Sequence, residues 1–338
     1  MDPQIPPHYL SNCLAVCLYF ERPVEDGIGM VHDLGVSFAR SCTRNAWIRS
    51  SGLVLAKPEL LKARGNAKMG AFFQFENSAR MRTFPDYAAS LRWPPGEHLC
   101  AMVACQPFSK VDGYSMHRCL MKYDDGAGWD SDQATHNPAP TLVVSMIPWS
   151  GTDSMAPNDL FDLTLRAAAR YGRVCHGVID HDIYLANHHG SYFDASISPC
   201  TKERSDAADA WCALGGTRRM RLCRHPREGL IFGRPMAETI GIADPEGFAA
   251  WKTRHGFVDA APSLELHDSG LFVLRCTEDA ADFTQSVRRC ERTRDVSNRV
   301  HEALCRDGYS LPEYAIRDED PVRLYDSISE KYLYCEPD

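Results

Sequence analysis

An α+β fold is predicted, with mixed or antiparallel sheets packed against three or four amphipathic helices. Three observations predict it. An apolar run, Cys13 to Phe20, leads into a helix-periodic stretch. A second strand-then-helix unit starts at Thr141. Near the end, a Gly-containing turn joins two short apolar strands between punctuated helices. Period-two and period-3.6 patterning thus alternate along the chain.

Taken in order, the strand 13–20 is followed by a helix expected over 24–42. Pro23 suits a first turn, where its missing N–H has no partner to lose. Glu25 and Asp26 complement the positive end of the helix dipole, and Val24, Ile28, Val31, Gly35, Phe38 and Cys42 mark one face. Strands are expected at Phe72–Phe75, Leu99–Cys105 and Tyr114–Tyr123. Segment 124–140, rich in Asp, Gly and Pro, reads as a loop. The second half begins with strand Thr141–Ile147. A helix follows, capped by Asn158 and closed after Tyr171 by Gly172, and then strand Val174–Leu185. Asp244 and Pro245 open another helix, which turns Phe248 and Trp251 inward and ends at Gly256. Leu264–His267 and Leu271–Cys276 form a hairpin across Asp268-Ser-Gly270. Asp282 caps a last helix reaching Cys305, with Phe283, Val287, Cys290, Val300 and Leu304 as its apolar contacts.

The chain has 338 residues, 44% hydrophobic and 24% charged, which suits a packed globular body and argues against wholesale disorder. One domain is expected over 1–306, with a possible subdivision near 124–140, followed by an acidic extension at 307–338. That extension carries nine acidic and three basic residues, so −6 of the formal −8 resides there. No transmembrane run or signal-peptide pattern is visible, and the 14 cysteines contain no C-x-x-C pair. A cytoplasmic protein with reduced thiols is expected.

Several partial constellations bear on chemistry. Cys212-Ala-Leu-Gly-Gly-Thr-Arg218 fits the spacing of a cysteine phosphatase loop, in which a thiolate attacks phosphorus while Arg holds the phosphate oxygens. The preceding residues, Ser205–Trp211, are polar rather than a buried strand, which favours a structural Gly-Gly turn. His176, Asp180, His181, Asp182, His188 and His189 are rich in metal-ligand types. In a strand, however, His176 and Asp180 stand about 13 Å apart on one face, too far to share an ion unless a loop folds back. The run Arg218–Arg227 has no interleaved aromatics for base stacking, so direct nucleic-acid binding is not expected. Phosphate-loop, zinc-helix and nucleophile-elbow signatures are incomplete or missing, so no cofactor is expected and the chain is not expected to be an enzyme. The alternative is a cysteine-dependent phosphatase using Cys212 and Arg218, or a metal-dependent hydrolase using His176, Asp180 and His181.

Four short stretches are similar, in order, to the type VI secretion immunity family: Leu18-Tyr-Phe-Glu-Arg-Pro23, His176-Gly-Val-Ile-Asp-His181, Gly270-Leu-Phe-Val-Leu-Arg275 and Arg294-Asp-Val-Ser-Asn-Arg299. The resemblance implies a non-catalytic inhibitor that binds one cognate toxin in the cytoplasm of the producing cell. Some relatives are paired with nucleases of the VRR-Nuc kind. A nuclease groove is basic, so an acidic surface on the inhibitor would complement it. Asp124, Asp125, Asp130 and Asp132 are the partner-binding candidates in the loop, alongside the 307–338 extension.

Overall fold

The apolar run at the start becomes β1 (Leu14–Phe20), which has a hydrogen-bonded neighbour on each side. The structure is a computed structural model and describes residues 14–41, 48–55, 71–75, 100–107, 119–125, 140–146, 155–180, 221–223, 225–226, 228–258, 261–276 and 291–310. After β1 come α1 (Gly27–Ser41), β2 (Ile48–Leu55), β3 (Ala71–Phe75), β4 (Cys100–Pro107), β5 (Cys119–Asp124) and β6 (Thr141–Met146). Then follow α2 (Pro157–Tyr171), β7 (Val174–Asp180), β8 (Gly229–Phe232), α3 (Arg234–Ile240), α4 (Pro245–Arg254), β9 (Ser263–Leu266), β10 (Phe272–Arg275) and α5 (Glu291–Arg306). No helix among the described residues is long and apolar enough to cross a membrane.

The strands form one sheet in the order β3-β2-β4-β5-β6-β1-β7-β8-β10-β9, with every pairing antiparallel. The expected α+β class holds, and the helices cover both faces. Leu14, Val16, Leu18 and Phe20 join α1 and α2 in one core. Cys17 and Tyr19 join α3, α4 and α5 in the other. Burial on both faces is why β1 reads as a continuous apolar run rather than an alternating one. Each fully buried Leu, Val or Phe there stabilises the fold by about 1.5–3 kcal/mol.

Local signals place most of these elements, with corrections at the ends. α1 begins at Gly27, not at 24, because Asp26 is the cap: its Oδ1 accepts the Gly29 N–H at 2.7 Å. Pro23 and Val24 belong to the preceding turn, and the Val24 N–H donates to the buried Tyr123 hydroxyl at 2.7 Å. α2 opens on Pro157 after Ala156, so Asn158 lies inside the helix rather than capping it. Gly172 does close α2, but at φ −157, ordinary extended backbone. Glycine is required there by close approach, since a Cβ would stand 2.7 Å from the Phe20 ring and 2.9 Å from Val24.

α4 matches its expected punctuation, with Asp244 accepting the Gly247 N–H at 2.8 Å and Trp251 turned inward. The β9–β10 hairpin also forms as expected, with Gly270 at φ +83 in its turn. β2, β8 and α3 are elements that the patterning did not signal. The expected residues 114–118 of the β5 strand, 181–185 of the β7 strand, and the cap at Asp282 with Phe283, Val287 and Cys290 lie outside the described residues.

The last described residues pack against the body. Ser310 Oγ donates to the Cys223 carbonyl at 2.7 Å, and the Tyr309 hydroxyl donates to the Thr239 carbonyl at 2.7 Å. Asp307 Oδ2 receives the Trp251 Nε1–H and Arg254 Nη2, each at 3.0 Å, and faces His255 Nε2 at 3.0 Å. Asp307, Tyr309 and Ser310, at the start of the expected acidic extension, thus tie it to α4, α3 and Cys223. Residues 311–338 lie outside the described residues.

Candidate functional site

The string Leu18–Pro23 divides its six residues between interior and surface. Leu18, Tyr19 and Phe20 are fully buried in β1, while Glu21, Arg22 and Pro23 are exposed. Two backbone bonds fix where the chain emerges: Phe20 N–H to the Pro140 carbonyl and Glu21 N–H to the Arg173 carbonyl, both 2.9 Å. The emerging turn and the C-terminal end of α2 thereby enclose an open cleft of about 320 Å³, lined by Arg22–Glu25 on one side and Ala169–Arg173 on the other.

The cleft is rich in donors. Arg170 lies 3.6 Å from Asp33 and Arg173 lies 3.9 Å from Glu21. Both distances exceed the ~2.7–2.9 Å of a charge-assisted hydrogen bond, so the carboxylates orient these guanidinium groups without saturating them. Their side chains remain 75% and 76% exposed. Tyr171 donates its hydroxyl to Asp33 Oδ2, and the Arg170 guanidinium lies 5.4 Å from the Tyr171 ring centre. Burial, then the hydrogen bond to Asp33 and its charge, push the Tyr171 hydroxyl up from 10.0 to about 12. It stays protonated and a donor at neutral pH. Arg22, Arg170 and Arg173 stand with Glu21, Glu25 and Asp33, so the cleft is polar and charge-balanced.

The cleft was not among the sites expected from sequence. The available signals were the basic residues flanking Gly172 and the exposed half of the 18–23 string, segments far apart in the chain. Of the aspartates expected in the loop, Asp124 is the last residue of β5, opposite Cys100 and Thr141. Asp125 follows it half-buried, and Asp130 and Asp132 lie outside the described residues.

His176 is a core side chain, 1% exposed, with its ring 4.7 Å from that of Tyr19 on the neighbouring strand. That corrects its candidacy as an accessible metal ligand. Asp180 ends β7 opposite Ala15. His181, Asp182, His188, His189, Cys212 and Arg218 lie outside the described residues. Among the described residues no group of three His, Cys, Asp or Glu could hold a metal ion.

Two other clusters resemble catalytic sets and resolve into structural contacts. Ser269 Oγ lies 2.8 Å from His267 Nδ1, and His267 Nε2 lies 3.2 Å from Asp162. The backbone donors beside Ser269 are already committed: its own N–H goes to His267 Nδ1, and the Gly270 N–H goes to the His267 carbonyl. Neither is free to meet an oxyanion, so the set reads as a clamp tying the hairpin to α2. On α5, Cys305 Sγ sits 3.6 Å from His301 Nε2, whose ring centre is 5.0 Å from that of His225. His225 Nε2 meets Asn298 Oδ1 at 2.9 Å. Both histidines are buried, which places this cluster between α5 and the 221–226 segment.

No family model matches the chain, and no curated protein matches it. Among solved structures it is similar to the Pseudomonas aeruginosa T6SS protein PA0821, at 14% sequence identity and a TM-score of 0.42, over 88% of this chain and 73% of that one.

Proposed function

We propose that the chain is a non-catalytic immunity protein that binds and neutralises a type VI secretion toxin, a nuclease foremost, in the cytoplasm of the cell that makes it. The observation that carries this reading is the string Leu18-Tyr-Phe-Glu-Arg-Pro23, followed in family order by the stretches at 176–181, 270–275 and 294–299. The first string anchors the sheet through its apolar half and presents its Glu-Arg-Pro half at a cleft. Buried anchors set residence time in such complexes, while charge sets the rate of encounter. Asp124, Asp125, Asp130 and Asp132 are proposed to steer a basic toxin surface toward the inhibitor.

The test is capture of the toxin encoded beside this gene by the purified protein, together with protection of cells expressing that toxin. Changing the four aspartates to Asn is expected to slow association more than it speeds dissociation, with the difference shrinking in salt. Failure of both capture and protection overturns the reading. So does phosphomonoester turnover lost in Cys212→Ser, or ester turnover lost in Ser269→Ala.

A further inference from the structure

We propose that Ser269 is an acylation site, whose hydroxyl takes one acyl group from an activated ester and holds it. Three side chains from two elements meet there. Ser269 Oγ lies 2.8 Å from His267 Nδ1, and His267 Nε2 lies 3.2 Å from Asp162 Oδ1 on α2. The Ser269 N–H donates to the same Nδ1 at 3.1 Å, which makes Nδ1 an acceptor. The neutral ring therefore carries its proton on Nε2, toward the carboxylate, and turns a lone pair to the serine hydroxyl, the nearer of its two donors. A hydroxyl within reach of a base, with that base oriented by a third group, is an activated nucleophile. Backbone bonds hold the hairpin in this shape: the His267 N–H donates to the Leu271 carbonyl and the Gly270 N–H to the His267 carbonyl, both at 2.8 Å. The turn faces solvent, with Asp268 and Gly270 exposed and Ser269 half-buried between them.

In the step, Ser269 Oγ attacks the ester carbonyl carbon while its proton passes to His267 Nδ1, and the imidazolium so formed faces Asp162. The bond from that carbon to the leaving oxygen then breaks, a phenolate departs with the electron pair, and solvent takes the proton from Nδ1. Assistance by a general base contributes about 10²–10⁴-fold. An oxyanion hole would add about 10²–10³-fold, but the backbone donors beside Ser269 are both committed. That shortfall weighs unequally on the two halves of a hydrolytic cycle. A phenolate leaves without a proton, so acylation proceeds on the base alone. Release of the acyl group must expel the serine alkoxide, a far poorer leaving group, with no donor to stabilise the intermediate. The acyl group therefore stays, one per chain, and the chain does not turn over.

The experiment exposes the full chain to p-nitrophenyl acetate at pH 8 and reads acetylation at each serine by peptide mass spectrometry. Ser263 of β9, also half-buried, is the reference within the same chain. Ser269 is expected to be acetylated about 100-fold faster than Ser263 in the folded chain, and no faster than Ser263 in urea. His267→Gln is expected to remove that advantage. Asp162→Asn is expected to lower it and Asp162→Glu to restore part of it, since the carboxylate positions the base. Equal labelling of the two serines in the folded wild type, or an undiminished ratio in His267→Gln, overturns the proposal and leaves the immunity reading standing. Sustained turnover that is lost in Ser269→Ala overturns both.

Discussion

Removing one oxygen from Tyr123 tests whether the turn before α1 is built as described. Tyr123 is fully buried in β5, and its hydroxyl accepts the Val24 N–H at 2.7 Å across 99 residues of chain. Its ring lies edge-on to Phe20 at 6.1 Å between centres. Tyr123→Phe keeps that ring and its packing. What changes is that an amide proton on a residue only 7% exposed loses its acceptor. An orphaned buried donor costs about 1–3 kcal/mol, so a loss near 2 kcal/mol is expected. Urea unfolding followed by tryptophan fluorescence should show a lower midpoint at an unchanged slope, because the surface exposed on unfolding is the same. Amide exchange at Val24 should accelerate along with it. A change under about 0.5 kcal/mol, within the range of neutral surface substitutions, would refute the reasoning and detach the turn from β5.

Gly177→Ala would set a Cβ 2.6 Å from the Cys17 carbonyl oxygen, between two paired strands, and should leave little soluble protein in an expression test. Asp307→Ala removes the acceptor of the buried Trp251 indole N–H, and is expected to lower stability by about 1–3 kcal/mol and shift tryptophan emission. Burial pushes the Cys175 thiol up from 9.0 to about 12, and pushes Cys223 and Cys276 up as well. A raised folded value means the unfolded chain loses these protons first. Stability from these groups is therefore complete below pH 9 and falls as pH rises from there toward 12, which alkaline denaturation curves would report. The same burial should make these three thiols slow toward iodoacetamide at pH 8 until urea is added.

The elements legible in the sequence were those whose signals are local. Asp244-Pro245 and Asp268-Ser-Gly270 announce a helix start and a turn within a few residues, and both formed as read. At α1, Pro23 and Asp26 offered competing starts, and the side-chain bond from Asp26 decided between them. β2 carries Arg-Ser-Ser-Gly in its middle, while β8 and α3 have four and seven residues, too few to establish a period. For His176, the sequence offered a ligand residue type but could not reveal that helices cover both faces of the sheet. The cleft was illegible for a different reason: Arg22 and Arg173 meet only because β1 and β7 pair.

The position of β1 also has a consequence for synthesis. Cys17 pairs with Val143 on one side and Val178 on the other, 126 and 161 residues later in the chain. At ribosomal rates of about 5–20 residues per second, the wait for the first of these partners is roughly 6–25 s. During that interval seven apolar residues have a hydrogen-bonding edge on each side and no β6 or β7 to occupy it. Such a nascent segment is a template for wrong pairing and a natural client for a chaperone. Yield of soluble protein should therefore depend on translation speed and chaperone supply, even where the finished fold is stable.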